Sequence, residues 1–65
     1  MAMSSFEATM IAEGQWDLAG VEPSEEAAIE AWQMLVDTGL AWQLQGWFGR
    51  TAAQLIERGV ISAPA

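Results

Sequence analysis

Apolar residues recur along this chain at helical spacing, and polar or glycine punctuation divides the pattern into three runs. The first opens at Ser4-Ser5-Phe6-Glu7, a capping box in which the Ser4 hydroxyl accepts from the Glu7 amide while the Glu7 carboxylate reaches back. Met3, Phe6, Met10 and Ile11 follow at helical intervals, and Gly14 closes a helix expected over 4–13. Residues 14–23 read as a loop that tucks Trp16, Leu18 and Val21 onto the core. A second helix is expected over 24–38. Ser24 is its N-cap, and Glu25 and Glu26 sit in the first turn, where carboxylates complement the helix dipole. Ala28, Ile29, Trp32, Leu35 and Val36 share one face of it, and Glu26, Glu30, Gln33 and Asp37 the other. Thr38-Gly39 stops the run, with Gly39 suited to a left-handed cap; Arg58-Gly59-Val60 repeats the same stop signal.

Between those two stops lies the third run, 40–58. Leu40, Leu44, Trp47/Phe48, Thr51 and Leu55 form one apolar stripe. Trp42, Gly46, Gly49, Ala53 and Ile56 form a second, at intervals of four, three, four and three, the rhythm of a helix–helix seam. Because both stripes keep phase across the glycines, the pattern predicts one continuous helix with neighbours on two sides. The alternative is a break, since Gly46 and Gly49 each cost roughly 1 kcal/mol relative to Ala inside a helix. The chain is therefore expected to form one all-α domain, residues 1–65, of three helices, or four if the glycines interrupt the last. Its core is expected from Phe6, Met10, Ile29, Trp32, Leu35, Val36, Leu40, Leu44, Phe48 and Leu55.

Composition narrows the chemistry. A 65-residue chain buries only about 60% of the surface it exposes when unfolded, so small domains often need a staple. With no cysteine and no histidine, disulfides, thiolate or imidazole metal ligands, thiol nucleophiles and imidazole acid–base catalysis are all excluded, which leaves oligomerisation. Hydrophobic residues make up 52% of the chain, which argues against disorder. No stretch approaches the roughly 18 apolar residues of a membrane span, and a cytoplasmic location is expected. The formal net charge is −7 with no lysine, which disfavours direct nucleic-acid or anionic-membrane binding and points to partners with basic or apolar surface. Eight of the nine acids fall in the first 37 residues, either as a steering surface or as a solubility device.

Several motifs invite a functional reading. Gly46-Trp47-Phe48-Gly49 matches the GxxG pattern of RNA clamps, but such clamps need basic residues at the phosphates, and only Arg50 is basic here. Small residues permitting close helix approach are the better account. Glu26 and Glu30, with Asp37 further along, supply fewer converging oxygens than a hard cation needs, so no metal or cofactor is expected and a solvated acidic face is preferred. Such a face could also imitate nucleic-acid phosphates. Arg50 follows Trp47 by three positions and can lie over its indole, or bridge to Glu57 or to an acid of the second helix. Trp42 lies off the main stripe, opposite Leu44; it is either an interface anchor or a residue covered by the first helix.

The string Asp37-Thr38-Gly39-Leu40-Ala41-Trp42-Gln43-Leu44-Gln45-Gly46, followed by Phe48-Gly49-Arg50, Ala52, Leu55-Ile56 and Gly59, resembles a family of small uncharacterised acidic proteins from bacteriophages and bacteria. The similarity covers residues 24–61. Phe48 stands where that pattern often carries Tyr, which puts a hydroxyl-dependent role in doubt. The resemblance implies a viral or mobile-element setting, with no assigned activity.

Taken together, the sequence and the resemblance point to a non-enzymatic protein-binding module, expected to be a phage accessory protein that inhibits or modulates a host enzyme or defence complex. The expected interface comprises Trp42, Gly46, Gly49, Arg50, Ala53 and Ile56, aided by Glu26, Glu30 and Asp37. No catalytic residue is assigned. The alternatives are a homodimeric scaffold joined along the Trp42/Gly46/Gly49 seam, and an acidic nucleic-acid mimic.

Overall fold

Capping chemistry starts the first helix, α1 (Ser5–Ala12), in the computed structural model. The Ser4 hydroxyl accepts from the Glu7 amide at 3.1 Å, and the Ser4 amide donates to Glu7 Oε1 at 2.8 Å, so both halves of the expected box form. The structure describes residues 3–64; the outermost residues of the expected 1–65 domain lie outside it. Four further helices follow: α2 (Trp16–Ala19), α3 (Glu25–Asp37), α4 (Leu40–Gln43) and α5 (Gly46–Glu57). The domain is all-α, with three helices of two or more turns and two of a single turn. No strand occurs among the described residues.

The central helix is α3. Ser24 caps it by accepting from the Ala27 amide at 3.0 Å. It buries Ala31, Trp32, Leu35 and Val36. Against it packs α1, which also contacts α2, while α4 joins α3 to α5. Phe6, expected in the core, is 60% exposed, and Ala8 and Ile11 are buried in its place. The reason is phase. At about 100° per residue, Phe6 lies some 200° around the helix from Ala8, so a helix that turns Ala8 and Ile11 inward turns Phe6 out. Methyl-sized side chains at Ala8 and Ala31, both fully buried, let the two helices approach closely.

The segment 14–23 is not wholly loop. A single turn, α2, forms within it, with Trp16 and Val21 packed on the core as expected. Leu18, expected to be tucked in with them, is 62% exposed.

Nor is the third run continuous. It breaks at Leu44 (ψ −171°) and Gln45 (ψ 151°), both extended, which separates α4 from α5. The interruption precedes the glycines, and neither Gly46 nor Gly49 has positive φ; both are accommodated at the start of α5. The two stripes read across 40–58 therefore do not form one double-sided helix. Folding α4 back onto α5 buries Ala41 and Phe48 together in the same core.

At its far end α5 closes as expected. Gly59 takes φ +76°, its amide donates to the Ile56 carbonyl at 3.0 Å, and the Val60 amide donates to the Leu55 carbonyl at 2.9 Å. This turn delivers Ile61 into the core. The Cα radius of gyration is 10.7 Å, close to the roughly 11 Å of a compact chain this long. A single copy thus closes its own core.

Candidate functional site

The break at Leu44–Gln45 determines where Trp42 goes. In an uninterrupted helix, Trp42 and Gly49 would be separated by about 10 Å along the axis. Here a methyl group on Gly49 would come within 3.3 Å of Trp42 Cε3 and 3.6 Å of the Ala41 carbonyl oxygen. The bare α-carbon of Gly49 is thus the shelf on which the indole rests. Trp42 remains 50% exposed, so half of a large apolar ring is held in place and presented to water.

The other seam residues divide. Gly46 is exposed, and a methyl there would meet only Arg50 Nη1 of its own helix, at 3.1 Å. Arg50 therefore reaches back over the first turn of α5. Trp47, over which it could have lain, stacks on Phe48 with ring centroids 4.0 Å apart and planes at 27°. Both rings pack on Trp32, at 6.4 Å and 5.9 Å, which makes an aromatic cluster between α3 and α5. Ala53 is exposed, and Ile56 is half-buried against the core.

On α3 the geometry assembles a different feature. Glu26, Glu30 and Asp37, all exposed, border an open groove of about 560 Å³ together with Met3, Ile29, Gln33 and Met34. Its lining is predominantly apolar, and the three carboxylates run along α3 between Ile29 and Met34. Trp42 is not part of it, so the acidic residues and the indole form two separate features. The sequence placed the acids on a solvated face but gave no sign of an apolar floor. That floor needs Met3, which approaches from the segment before α1.

Gln33 ties this face to the C-terminal segment. Its Nε2 donates to the Ser62 carbonyl at 2.9 Å and to Asp37 Oδ1 at 3.0 Å, while the Ser62 amide donates to Gln33 Oε1 at 2.7 Å. The Glu7 carboxyl lies below the ordinary glutamate range. It is held lower by the backbone N–H of Ser4 first and by the Ser4 hydroxyl second.

No charged or polar residue is buried among the described residues. No group of three or more acids there is arranged to hold a metal ion. No helix among them is long and apolar enough to cross a membrane.

A family model described as a domain of unknown function (DUF7417) matches residues 16–65, which takes in every element except α1. Neither the curated proteins nor the solved structures contain a match.

Proposed function

The chain belongs to the DUF7417 family, and from that premise we propose that it is a non-enzymatic protein-binding module whose apolar anchor is Trp42. The observation that carries this reading is a half-exposed indole seated on Gly49. A large ring already fixed by backbone loses little conformational freedom when a partner covers it, and tryptophan is enriched among residues that dominate binding energy. Gly49, with Ala41 behind it, belongs to the anchor as its support. Arg50 and Ala53 supply the polar and small-residue margin on α5. The residue set supports a binding role over a catalytic one, because His and Cys are lacking from the sequence and every acid is open to solvent or nearly so.

The similarity of residues 24–61 to small phage and bacterial proteins supports a finer reading, a phage accessory protein that modulates a host protein in the host cytoplasm. A homodimer joined along the glycine seam is the weaker account, because the chain's own Trp42 and Arg50 already lie over Gly49 and Gly46.

The test compares wild-type protein with Trp42→Ala, each immobilised and exposed to host lysate, with circular dichroism of both. The reading requires a species retained by the wild type and lost by the variant at equal helicity. Identical retention by both proteins, or collapse of helicity in the variant, would overturn it.

A further inference from the structure

We propose that the groove bordered by Glu26, Glu30 and Asp37 is a second docking site, and that its occupant is a basic amphipathic helical segment of another protein. This rests on the reading of the chain as a protein-binding module and adds the chemistry of a partner, on a surface separate from Trp42.

The argument begins with the shape and lining of the site. The groove has about 560 Å³ of space, and its apolar lining is Met3, Ile29 and Met34, the last two on opposite sides of the acidic row of α3. Unbranched methionine side chains adjust to an incoming apolar surface more readily than branched ones, which suits a floor that must accept side chains from outside. Between Ile29 and Met34, Glu26, Glu30, Gln33 and Asp37 run along α3 at intervals of four, three and four. That spacing keeps them in one row on the helix surface. The row from Glu26 to Asp37 is about 16 Å long, or three helical turns. A partner helix of similar length laid along α3 would set its apolar face on the methionines and its flank against the carboxylates.

Charge selects among helical partners. Among the described residues lining the groove there are three acids and no cation. Both arginines of the chain lie elsewhere, Arg50 within α5 and Arg58 at its end. Apolar floor and anionic margin together fit a segment with leucine-like residues on one face and lysine or arginine beside them. An acidic or purely apolar helix would leave the carboxylates facing like charge or hydrocarbon. Asp37 is already positioned by Gln33 Nε2, so part of this margin is organised before anything binds.

The test uses a designed helical peptide of about 18 leucine and lysine residues, with a leucine–glutamate peptide of the same pattern as control. Binding is followed by NMR on the methyl groups of Met3, Ile29 and Met34 and on the Trp42 indole N–H. The proposal expects saturable shifts of the three methyls with the basic peptide. It also expects affinity about tenfold weaker in the Glu26→Gln/Glu30→Gln variant, which leaves Asp37 and its bond to Gln33 intact. Equal binding of the acidic peptide, unchanged affinity in the double variant, or no methyl shift at all would overturn it. So would methyl shifts produced by concentrating the protein alone, because the occupant would then be a second copy. A shift confined to Trp42 would overturn the groove while supporting the anchor. Undiminished capture by Trp42→Ala with intact groove binding would do the reverse.

Discussion

Gln33 pairs with both backbone groups of Ser62, twenty-nine residues away, accepting its N–H at 2.7 Å and donating to its carbonyl at 2.9 Å. A side-chain amide here does what a neighbouring strand would do, fixing a segment that has no helix or sheet of its own. Ile61, immediately before, is buried, so the amide holds the plug in place. Replacing Gln33 with Ala removes three exposed hydrogen bonds, two to Ser62 and one to Asp37, each worth about 0.5–1.5 kcal/mol net at most. Stability should fall by about 1–2 kcal/mol in urea unfolding, with amide exchange at Ser62 quickened. Gln33→Glu keeps an acceptor for the Ser62 N–H but loses the donor and sets a carboxylate beside Asp37. It should be no better than Ala. A Gln33→Ala variant as stable as the wild type would remove the clamp from the account of the fold.

Three glycines of the last segment should respond differently to Ala. At Gly46 the new methyl meets only the mobile end of Arg50, at 3.1 Å, so the helix-propensity gain of up to about 1 kcal/mol should be largely realised. At Gly49 the methyl meets Trp42 Cε3 at 3.3 Å, and the half-exposed indole must give way. Gain and displacement should nearly cancel, leaving a change within about 0.5 kcal/mol but a shifted Trp42 indole resonance. At Gly59 the φ of +76° imposes strain of about 1–2 kcal/mol on any side chain. Urea midpoints should therefore rank Gly46→Ala highest and Gly59→Ala lowest; the reverse order would contradict the geometry.

Local signals were legible in the sequence because they act over three or four residues. The Ser4–Glu7 box, the Ser24 cap and the Gly39 and Gly59 stops each formed where the pattern put them. Two features had no local code. Phe6 and Ala8 are both acceptable core residues, and only the close approach of α1 to α3 selects the smaller one. The break at Leu44–Gln45 has no proline, no left-handed glycine and no capping side chain. It brings Ala41 and Trp42 onto Gly49; phase put Trp42 and Gly49 on one stripe, but an unbroken helix would hold them about 10 Å apart. Whether Trp42 is core or surface depends on that fold-back. The acidic face was readable from α3 alone, whereas the groove beneath it required Met3 from a different element.

The capping box also predicts a pH response. The Glu7 carboxyl is lowered, chiefly by the Ser4 backbone N–H. A group whose folded pKa lies below its unfolded value contributes stability above the unfolded value and loses it as pH falls through the folded one. The cap should therefore be fully formed at neutral pH and dissolve on the acid side of the ordinary glutamate range. NMR titration of Glu7 should give a midpoint below that of the same residue in Ser4→Ala, with fraying of α1 following it. Because the Ala variant keeps the Ser4 backbone N–H, equal midpoints would remove only the hydroxyl's share; a wild-type midpoint equal to that of the urea-unfolded chain would show that the box is not formed in solution.

Trp32 and Trp42 give the sharpest contrast, because they are the same residue type in opposite situations. Trp32 is 9% exposed and packs on Trp47 and Phe48, so truncation to Ala should cost about 3–5 kcal/mol. A core this small supplies only about 3–5 kcal/mol in total. Trp32→Ala should therefore be substantially unfolded at room temperature. Trp42→Ala removes a ring that is half in water and supported on one side by a bare α-carbon, so the loss should be on the order of 1 kcal/mol. Far-UV circular dichroism should show near-native helicity for Trp42→Ala and little for Trp32→Ala. If both collapse, the indole at Trp42 is a structural strut holding α4 on α5, and its exposed half has no further role to explain.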